Sequence, residues 1–500
     1  MVDDMGYSDI GCYGGEIPTP NIDRLAANGL RFSQFYNTAR CCPTRASLMT
    51  GLHPHQTGIG GMTNSPTKQR DVETTPYGYH GFLNRDCVTI AEVLKPAGYH
   101  TYMAGKWHLG YHKEDRWPLQ RGFERYYGII AGACSYLWPH GDRGITRDNE
   151  PIEIEKGSGY YTTDAFAENA IKFVEEQKDD KPFFLYLAFN APHWPLHAKE
   201  EDTSKFVGKY TCGWDELRKQ RRRRMIEMGL IKEQWGLSPR DRGARAWDKL
   251  TDKQKEQLDY RMAVYAAQIH CVDYNIGELV ETLKKQGKLD NTLILFLSDN
   301  GGCAEPYKDL GGGKFEDINN PDKGGAISYG QGWANASNTP FRRFKVWVNE
   351  GGMSTPLIAH WPAVISGQKG RITDCVGYLP DIMATLVEVT GAEYPKRHNG
   401  RKIHPLEGRS LATAFGGKEP EPHEWMFWEH MGHCAVRHGK WKALQEFRSE
   451  KWELYDIEAD RCEMKDLAGE HPEITARLAA KWHEWAKRCH VVPKRVAKKK

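Results

Sequence analysis

Two short runs in this chain are almost wholly apolar and end abruptly in polar residues. Residues 182–189 (PFFLYLAF) lead into Asn190-Ala191-Pro192-His193-Trp194-Pro195, and residues 292–297 (TLILFL) lead into Ser298-Asp299-Asn300-Gly301-Gly302. A strand without polar alternation has no solvent face, so each is expected inside a sheet covered on both sides, the setting of parallel strands in α/β proteins. A third run, residues 100–104, passes in the same way into Gly105-Lys106-Trp107-His108-Leu109-Gly110. Ligands of open parallel sheets bind beyond the carboxyl ends of the strands. Three strands ending on Lys106, His108, His193, Asp299 and Asn300 are therefore expected to deliver them to one crevice.

Helical patterns separate these runs. Thr19 before Pro20 reads as an N-cap and first helical position, with Ile22, Leu25 and Ala26 on one face and Gly29 as the stop. Residues 89–96 give a short helix, and residues 253–286 a long one that feeds the strand at 292–297. The pattern changes after about residue 370. From Trp425 onward the short alternating runs WMFWEH, CAVRHGKWKAL and KWELYDI indicate a small antiparallel sheet, closed by a helix over residues 472–487. The expected organisation is an α/β domain over residues 1–370 and a smaller α+β subdomain over residues 371–500.

Of the 500 residues, 39% are hydrophobic and 27% charged, which supplies a sizeable core and excludes wholesale disorder. The 69 basic and 66 acidic side chains leave a net charge of +3, too balanced for binding nucleic acid over the whole surface. The strongest basic run, RKQRRRRMIEM at residues 218–228, fits the solvated face of a helix better than a nucleic-acid patch; Lys498, Lys499 and Lys500 read as a frayed tail. No run reaches the roughly 18 apolar residues of a membrane span. The 12 cysteines are scattered, without zinc-site CxxC spacing. Met1-Val2 runs straight into Asp3-Asp4 without a signal peptide's charged and apolar regions, so the chain is expected to be cytosolic, already processed or truncated.

Asp3, Asp4, Asp299 and Asn300 form an all-oxygen set with three negative charges, suited to a hard divalent cation such as calcium or magnesium rather than zinc. Each pair alone also suits a turn or helix cap. In Cys41-Cys42-Pro43-Thr44-Arg45, Pro43 fits the first turn of a helix that Gly51 can end. Cys41 is thereby placed at a helix N-terminus, where free N–H groups favour anions, and Arg45 adds a fork of donors. On spacing alone two readings stand: a thiolate nucleophile activated by that field, or two buried structural cysteines.

The stretch CCPTRASLMTG resembles the C-x-P-x-R-x-x-x-x-T-G signature of type I sulfatases, whose first cysteine is oxidised to Cα-formylglycine. DDMGYSDIGCYGG resembles that family's N-terminal metal motif. GKWHLG, APHWP and SDNGG match its further blocks, and residues 337–362 (SNTPFRRFKVWVNEGGMSTPLIAHWP) are similar to bacterial arylsulfatases. The resemblance covers nearly the whole chain and implies an alkaline-phosphatase-like α/β sandwich with a central, mostly parallel sheet and a smaller C-terminal domain. It implies hydrolysis of sulfate monoesters, with Cys41 as formylglycine precursor whose gem-diol is the nucleophile. One Ca²⁺ would be held by Asp3, Asp4, Asp299 and Asn300 beside the modified Cys41. Arg45 and Lys106 would stabilise the gem-diol alkoxide, and His108 would assist the nucleophile and later remove the proton that releases sulfate. His193 and Lys345 would bind sulfate and protonate the leaving group. Implied partners are a sulfated small molecule or glycan and a formylglycine-generating enzyme.

Two departures from the family pattern stand out. The strand that normally precedes the Asp-Asp pair is reduced to Met1-Val2 and is expected to be missing, together with any signal peptide that would send the protein to the periplasm or outside the cell. Cys42 stands where a small residue is common. Trp107, Trp194, Trp333, Trp347, His430 and His433 are candidates to line an aryl or sugar subsite, with Trp428-Glu429-His430 reaching over the crevice, although core packing is the more usual place for each Trp. Alternatives to the sulfatase reading are a phosphodiesterase or phosphonate monoester hydrolase on the same scaffold, and a non-catalytic sulfatase-derived binding protein.

Overall fold

The computed structural model describes residues 1–65 and 67–492; the expected tail at residues 498–500 lies outside the described residues. The strands of the large domain are β1 (Leu30–Tyr36), β2 (His100–Lys106), β3 (Arg125–Ile129), β4 (Ile145–Arg147), β5 (Glu150–Ile152), β6 (Phe183–Ala188), β7 (Ile294–Leu297), β8 (Ser354–His360) and β9 (Arg371–Tyr378). They form two sheets, ordered β5-β4-β3-β2-β6 and β7-β8-β1-β9. In the first, β2 pairs parallel with β3 and β6 while β4 and β5 add an antiparallel edge. In the second, β7 and β1 flank β8 antiparallel and β9 joins β1 in parallel.

The N-terminus joins the two sheets. The Met1 amino group donates to the Leu187 carbonyl (2.9 Å) and the Phe189 N–H to the Met1 carbonyl (3.0 Å). On the other side the Val2 N–H donates to Leu297 (3.0 Å) and the Asp299 N–H to Val2 (3.1 Å). Both are parallel pairings, so two residues bridge β6 and β7 where a full strand was expected to be absent. β7, expected to be parallel, is so only toward this stub. Below Met1 no described strand separates β6 from β7, and Phe183, Phe184, Leu185, Ile294 and Leu295 are half-buried rather than covered on both faces.

The helices follow their stop and start signals closely. Pro20–Ala27 begins at Pro20 and ends at Asn28, one residue before the expected glycine; the Thr19 hydroxyl accepts from the Gly11 N–H (2.9 Å) instead of capping. Ile90–Leu94 and the 34-residue helix Asp252–Lys285 both open with capping boxes, Thr89/Glu92 and Thr251/Gln254. The helix Gly213–Glu227 carries the arginine run, but its face is not solvated as expected. Arg218 and Arg221 are buried, and Arg221 is held by Asp9 (2.6 Å) and Glu16 (2.7 Å), whose charges offset the cost of taking a guanidinium out of water. Arg223 alone of the four consecutive arginines is fully exposed, which leaves no continuous basic patch.

The chain after residue 370 first supplies β9, the edge of the large sheet, so the expected boundary falls within that domain's architecture. A two-residue hairpin, β10 (Arg397–His398) and β11 (Arg401–Lys402), follows. The separate antiparallel sheet then runs in order through β12 (Met426–His430), β13 (His433–His438), β14 (Trp441–Gln445) and β15 (Glu453–Asp456). One face packs Trp428, Ala435 and Leu444 against Tyr36 and Tyr378 of the large domain. The other packs Val436, Ala443 and Leu454 against Leu478, Trp482 and Trp485 of the closing helix Pro472–Arg488.

Burial also makes stability depend on pH. The imidazoles of His53 and His197 are lowered from 6.5 to about 4, in both cases chiefly by burial, with Glu407 opposing at His53. The unfolded chain takes up these protons near pH 6.5 and the folded chain only near 4. Their contribution is therefore complete above about pH 6.5 and is lost as the pH falls toward 4. Urea unfolding at pH 7.5 and 5.5 is expected to differ by about 1–2 kcal/mol for each such histidine; identical midpoints would contradict burial as neutral rings.

Candidate active site

The residues expected at strand ends converge. Lys106 is the last residue of β2, and His108 follows with a left-handed backbone (φ 57°). Gly105 is required just before them: its φ is 110°, and a Cβ there would lie 1.9 Å from the Ala188 carbonyl of β6. His193 follows β6 in a loop that bends through two cis prolines, Pro192 and Pro195. Asp3 and Asp4 end the N-terminal stub, and Asp299 and Asn300 follow β7. Lys345 arrives from the loop before the short helix Glu350–Met353, its N–H donating to Gly302 (3.2 Å).

Cys41 is the first residue of the helix Cys41–Thr50, all of whose residues are buried and which ends at Gly51 in a left-handed C-cap. A helix buried all round presents its N-terminus, with its free N–H groups, to the crevice instead of to water. Hydrogen bonding from Cys42, together with the charges of Lys106 and Lys345, holds the Cys41 thiol well below its ordinary range against the cost of burial.

Charge alternates through the site. Lys106 Nζ lies 2.5 Å from Asp3 Oδ2, and Arg45 donates to Asp299 Oδ2 through Nε (3.2 Å) and Nη2 (3.0 Å). Lys345 Nζ reaches both Asp4 oxygens, at 2.7 and 2.9 Å. His193 Nε2 stands 3.5 Å from Asp4 Oδ2, and Asn300 donates to Asp4 Oδ1 (2.7 Å). All ten sequence-expected residues thus belong to one cluster. Outside it, Tyr265 of the long helix donates to the Asp4 carbonyl (3.2 Å) and to Asp9 (2.8 Å), fixing the acidic loop.

The oxygen set fits a divalent cation. Asp3 Oδ1 and Asn300 Oδ1 are buried acceptors without a hydrogen-bond partner among the described residues. Burial and the neighbouring Asp3 charge push the Asp299 carboxyl well above its ordinary range. Two orphaned oxygens beside mutually repelling carboxylates are relieved by a hard cation, and no soft donor belongs to this set.

A cavity of about 280 Å³ opens over Cys41, His108, His193 and Lys345. Burial, opposed by Cys41, lowers His108 to about 4, so its ring is a neutral acceptor at physiological pH. Of the aromatic and histidine candidates only Trp194 lines this cavity. Trp107 is core, its indole donating to the Arg116 carbonyl (2.9 Å), and Trp333 packs against Trp214. Trp347 lies against His433 and under Arg343. Trp428 packs on Tyr36, Glu429 bonds His55 (2.7 Å), and His430 is buried; none of the three lines the cavity.

Sequence reasoning missed Arg40 and Glu305, which pair at the cavity wall (2.9 Å), with Glu305 3.7 Å from Lys345. The position of Arg40 immediately before Cys41 was a readable signal; Glu305, in a loop without periodicity, gave none.

The sulfatase family model matches residues 1–392. This chain belongs to the sulfatase family. A model of the N-sulphoglucosamine sulphohydrolase C-terminal region also matches residues 342–488. The sulfatase is 34% identical to an uncharacterized sulfatase of Schizosaccharomyces pombe, over 96% of this chain and 91% of that one. It is 35% identical to the arylsulfatase of Klebsiella aerogenes, over 84% and 91%. Among solved structures, Ps i-CgsB in complex with a neocarrahexaose superposes with a TM-score of 0.71 at 26% identity, over 97% of this chain and 91% of that one. The sulfatase accordingly has the alkaline-phosphatase-like α/β fold with a C-terminal antiparallel sheet, and is a sulfuric ester hydrolase.

Proposed function

We propose that this sulfatase hydrolyses sulfate monoesters to an alcohol or phenol and inorganic sulfate. In this reading Cys41 is matured to formylglycine, and Asp3, Asp4, Asp299 and Asn300 hold Ca²⁺ beside it. The observation that carries the reading is the placement of Cys41 at a buried helix N-terminus, open to the cavity and ringed by Lys106, Arg45, Lys345 and the orphaned oxygens of Asp3 and Asn300. The hydrated aldehyde supplies a nucleophilic hydroxyl and a second hydroxyl through which sulfate is released; the cation supplies charge stabilisation at the sulfate oxygens.

The protein's own groups do the rest. Lys106 and Arg45, buried and fixed on carboxylates, present positive charge without reorganising as negative charge moves toward position 41. His108, neutral, accepts a proton from a hydroxyl there. Lys345 and His193 face the cavity beside Asp4, where they hold the ester's sulfate oxygens and return a proton to the departing oxygen, a general-acid contribution of about 10²–10⁴-fold. Trp194 and the Arg40–Glu305 pair border the space left for the alcohol portion. The volume suits a sulfated small molecule or the sulfated end of a glycan, in keeping with an arylsulfatase and a glycan-bound structure among the relatives.

Chelation with EDTA is expected to reduce sulfate release from 4-nitrocatechol sulfate by about 10²-fold or more, with recovery on adding Ca²⁺. Undiminished activity after exhaustive chelation would overturn the metal assignment. Faster turnover of an aryl phosphonate monoester than of the sulfate would overturn the substrate assignment.

A further inference from the structure

A second donor set, of opposite chemical character, surrounds the same cysteine. The ligand atoms of Cys41, Cys42 and His108 lie within 4.8 Å of one another, and all three residues are buried. Cys42 Sγ also lies 3.7 Å from the thioether sulfur of Met62. The His108 Nδ1 is buried without a hydrogen-bond partner among the described residues. Cys41, Met62 and His108 line the cavity, which provides an entry path. Two thiols, a thioether and an imidazole are soft or borderline donors, whereas the neighbouring aspartates and Asn300 are hard.

We propose that the chain in its encoded, unoxidised form holds one copper(I) ion on Cys41, Cys42 and His108, with Met62 as a weaker fourth donor. Copper(I) takes three or four soft ligands without a demanding geometry, and the three principal donors already lie within 4.8 Å of one another. Binding displaces one proton from each thiol and involves no electron transfer. The charges of Lys106 and Lys345 beside Cys41 offset the two thiolates. Conversion of Cys41 to formylglycine replaces a soft sulfur with a hard oxygen, so maturation exchanges the soft-metal site for the oxygen site. The loss of copper on maturation rests on the formylglycine reading; copper binding by the unmodified chain does not.

The test uses the full-length chain produced without a formylglycine-generating enzyme, with the Cys41 thiol verified by mass, titrated anaerobically with copper(I) against bicinchoninate. One equivalent is expected to be withdrawn from the chelator. Cys42→Ser is expected to weaken binding by about 100-fold and Met62→Leu by about tenfold, the smaller effect following from the weakness of a thioether ligand. Cys212→Ser, at an exposed thiol away from the site, should leave it unchanged. Circular dichroism separates a binding defect from misfolding, and Met62→Leu provides a second reading should Cys42→Ser fold poorly. Equal affinity in the parent, Cys42→Ser and Met62→Leu proteins would overturn the proposal, as would binding of zinc(II) but not copper(I). Protein with the aldehyde verified by mass should not compete for copper; if it does, the exchange on maturation is wrong while hydrolysis stands.

Discussion

Serine at position 41 is expected to leave the protein folded and to lower steady-state hydrolysis of 4-nitrocatechol sulfate by about 10⁴-fold or more, a loss of at least about 5 kcal/mol of transition-state stabilisation. The side chain is nearly isosteric with cysteine, and the helix Cys41–Thr50 is packed on every side, so the fold has no reason to change. A serine hydroxyl there keeps Lys106, Arg45 and Lys345 around it and can accept a sulfuryl group once. It has no second hydroxyl to expel the product, and a sulfate ester on serine is stable. The variant should therefore retain sulfate on the protein, visible as a mass adduct. Turnover at the parent rate would show that position 41 is not the nucleophile.

Lys442→Met is expected to destabilise the protein by about 3–5 kcal/mol, the usual cost of removing one partner from a buried charge cluster. Lys442 Nζ lies 2.9 Å from Glu350 and 2.7 Å from Glu463, and all three are buried where the C-terminal sheet meets the large domain. Arg461 is a second cation on Glu350 (2.9 Å). Against the cost of burial, Lys442 and Arg461 lower the Glu350 carboxyl to about 2. Without Lys442, Glu350 keeps Arg461 as its partner, and Glu463 loses its nearest positive charge. A second change, Glu463→Gln, should restore part of the loss, because it removes the charge that Lys442 leaves unpaired. Urea unfolding of the parent, single and double variants measures this directly; a single variant as stable as the parent would show that the cluster does not hold the two domains together. Glu350 lies in the short helix that follows the Lys345 loop, so looser packing here should also lower activity before global unfolding.

Much of the site was legible because strand ends announce themselves. Lys106, His193 and Asp299 each follow an apolar run, and the chemistry of a parallel crevice places such residues together whatever the intervening sequence. The capping boxes at Thr89 and Thr251 were equally local. What sequence could not provide was partnership across long separations. Arg221 reads as solvated until Asp9 and Glu16, more than two hundred positions away, are brought against it. The aromatic residues were ambiguous, because indole and imidazole serve equally in a core and at a ligand surface, and packing showed Trp107 and Trp333 to be the core members that their type favours. The mixed pairing of β7 was hidden for a similar reason: an unbroken apolar run carries no mark of its neighbours' direction.

The most direct test is the mass of the tryptic peptide that begins at Cys41 and ends at Arg45, taken from protein co-produced with a formylglycine-generating enzyme and assayed for sulfate release on the same sample. The account predicts an aldehyde at position 41, in a fraction that rises in proportion to specific activity. Full sulfatase activity in protein whose Cys41 is quantitatively an unmodified thiol would contradict it.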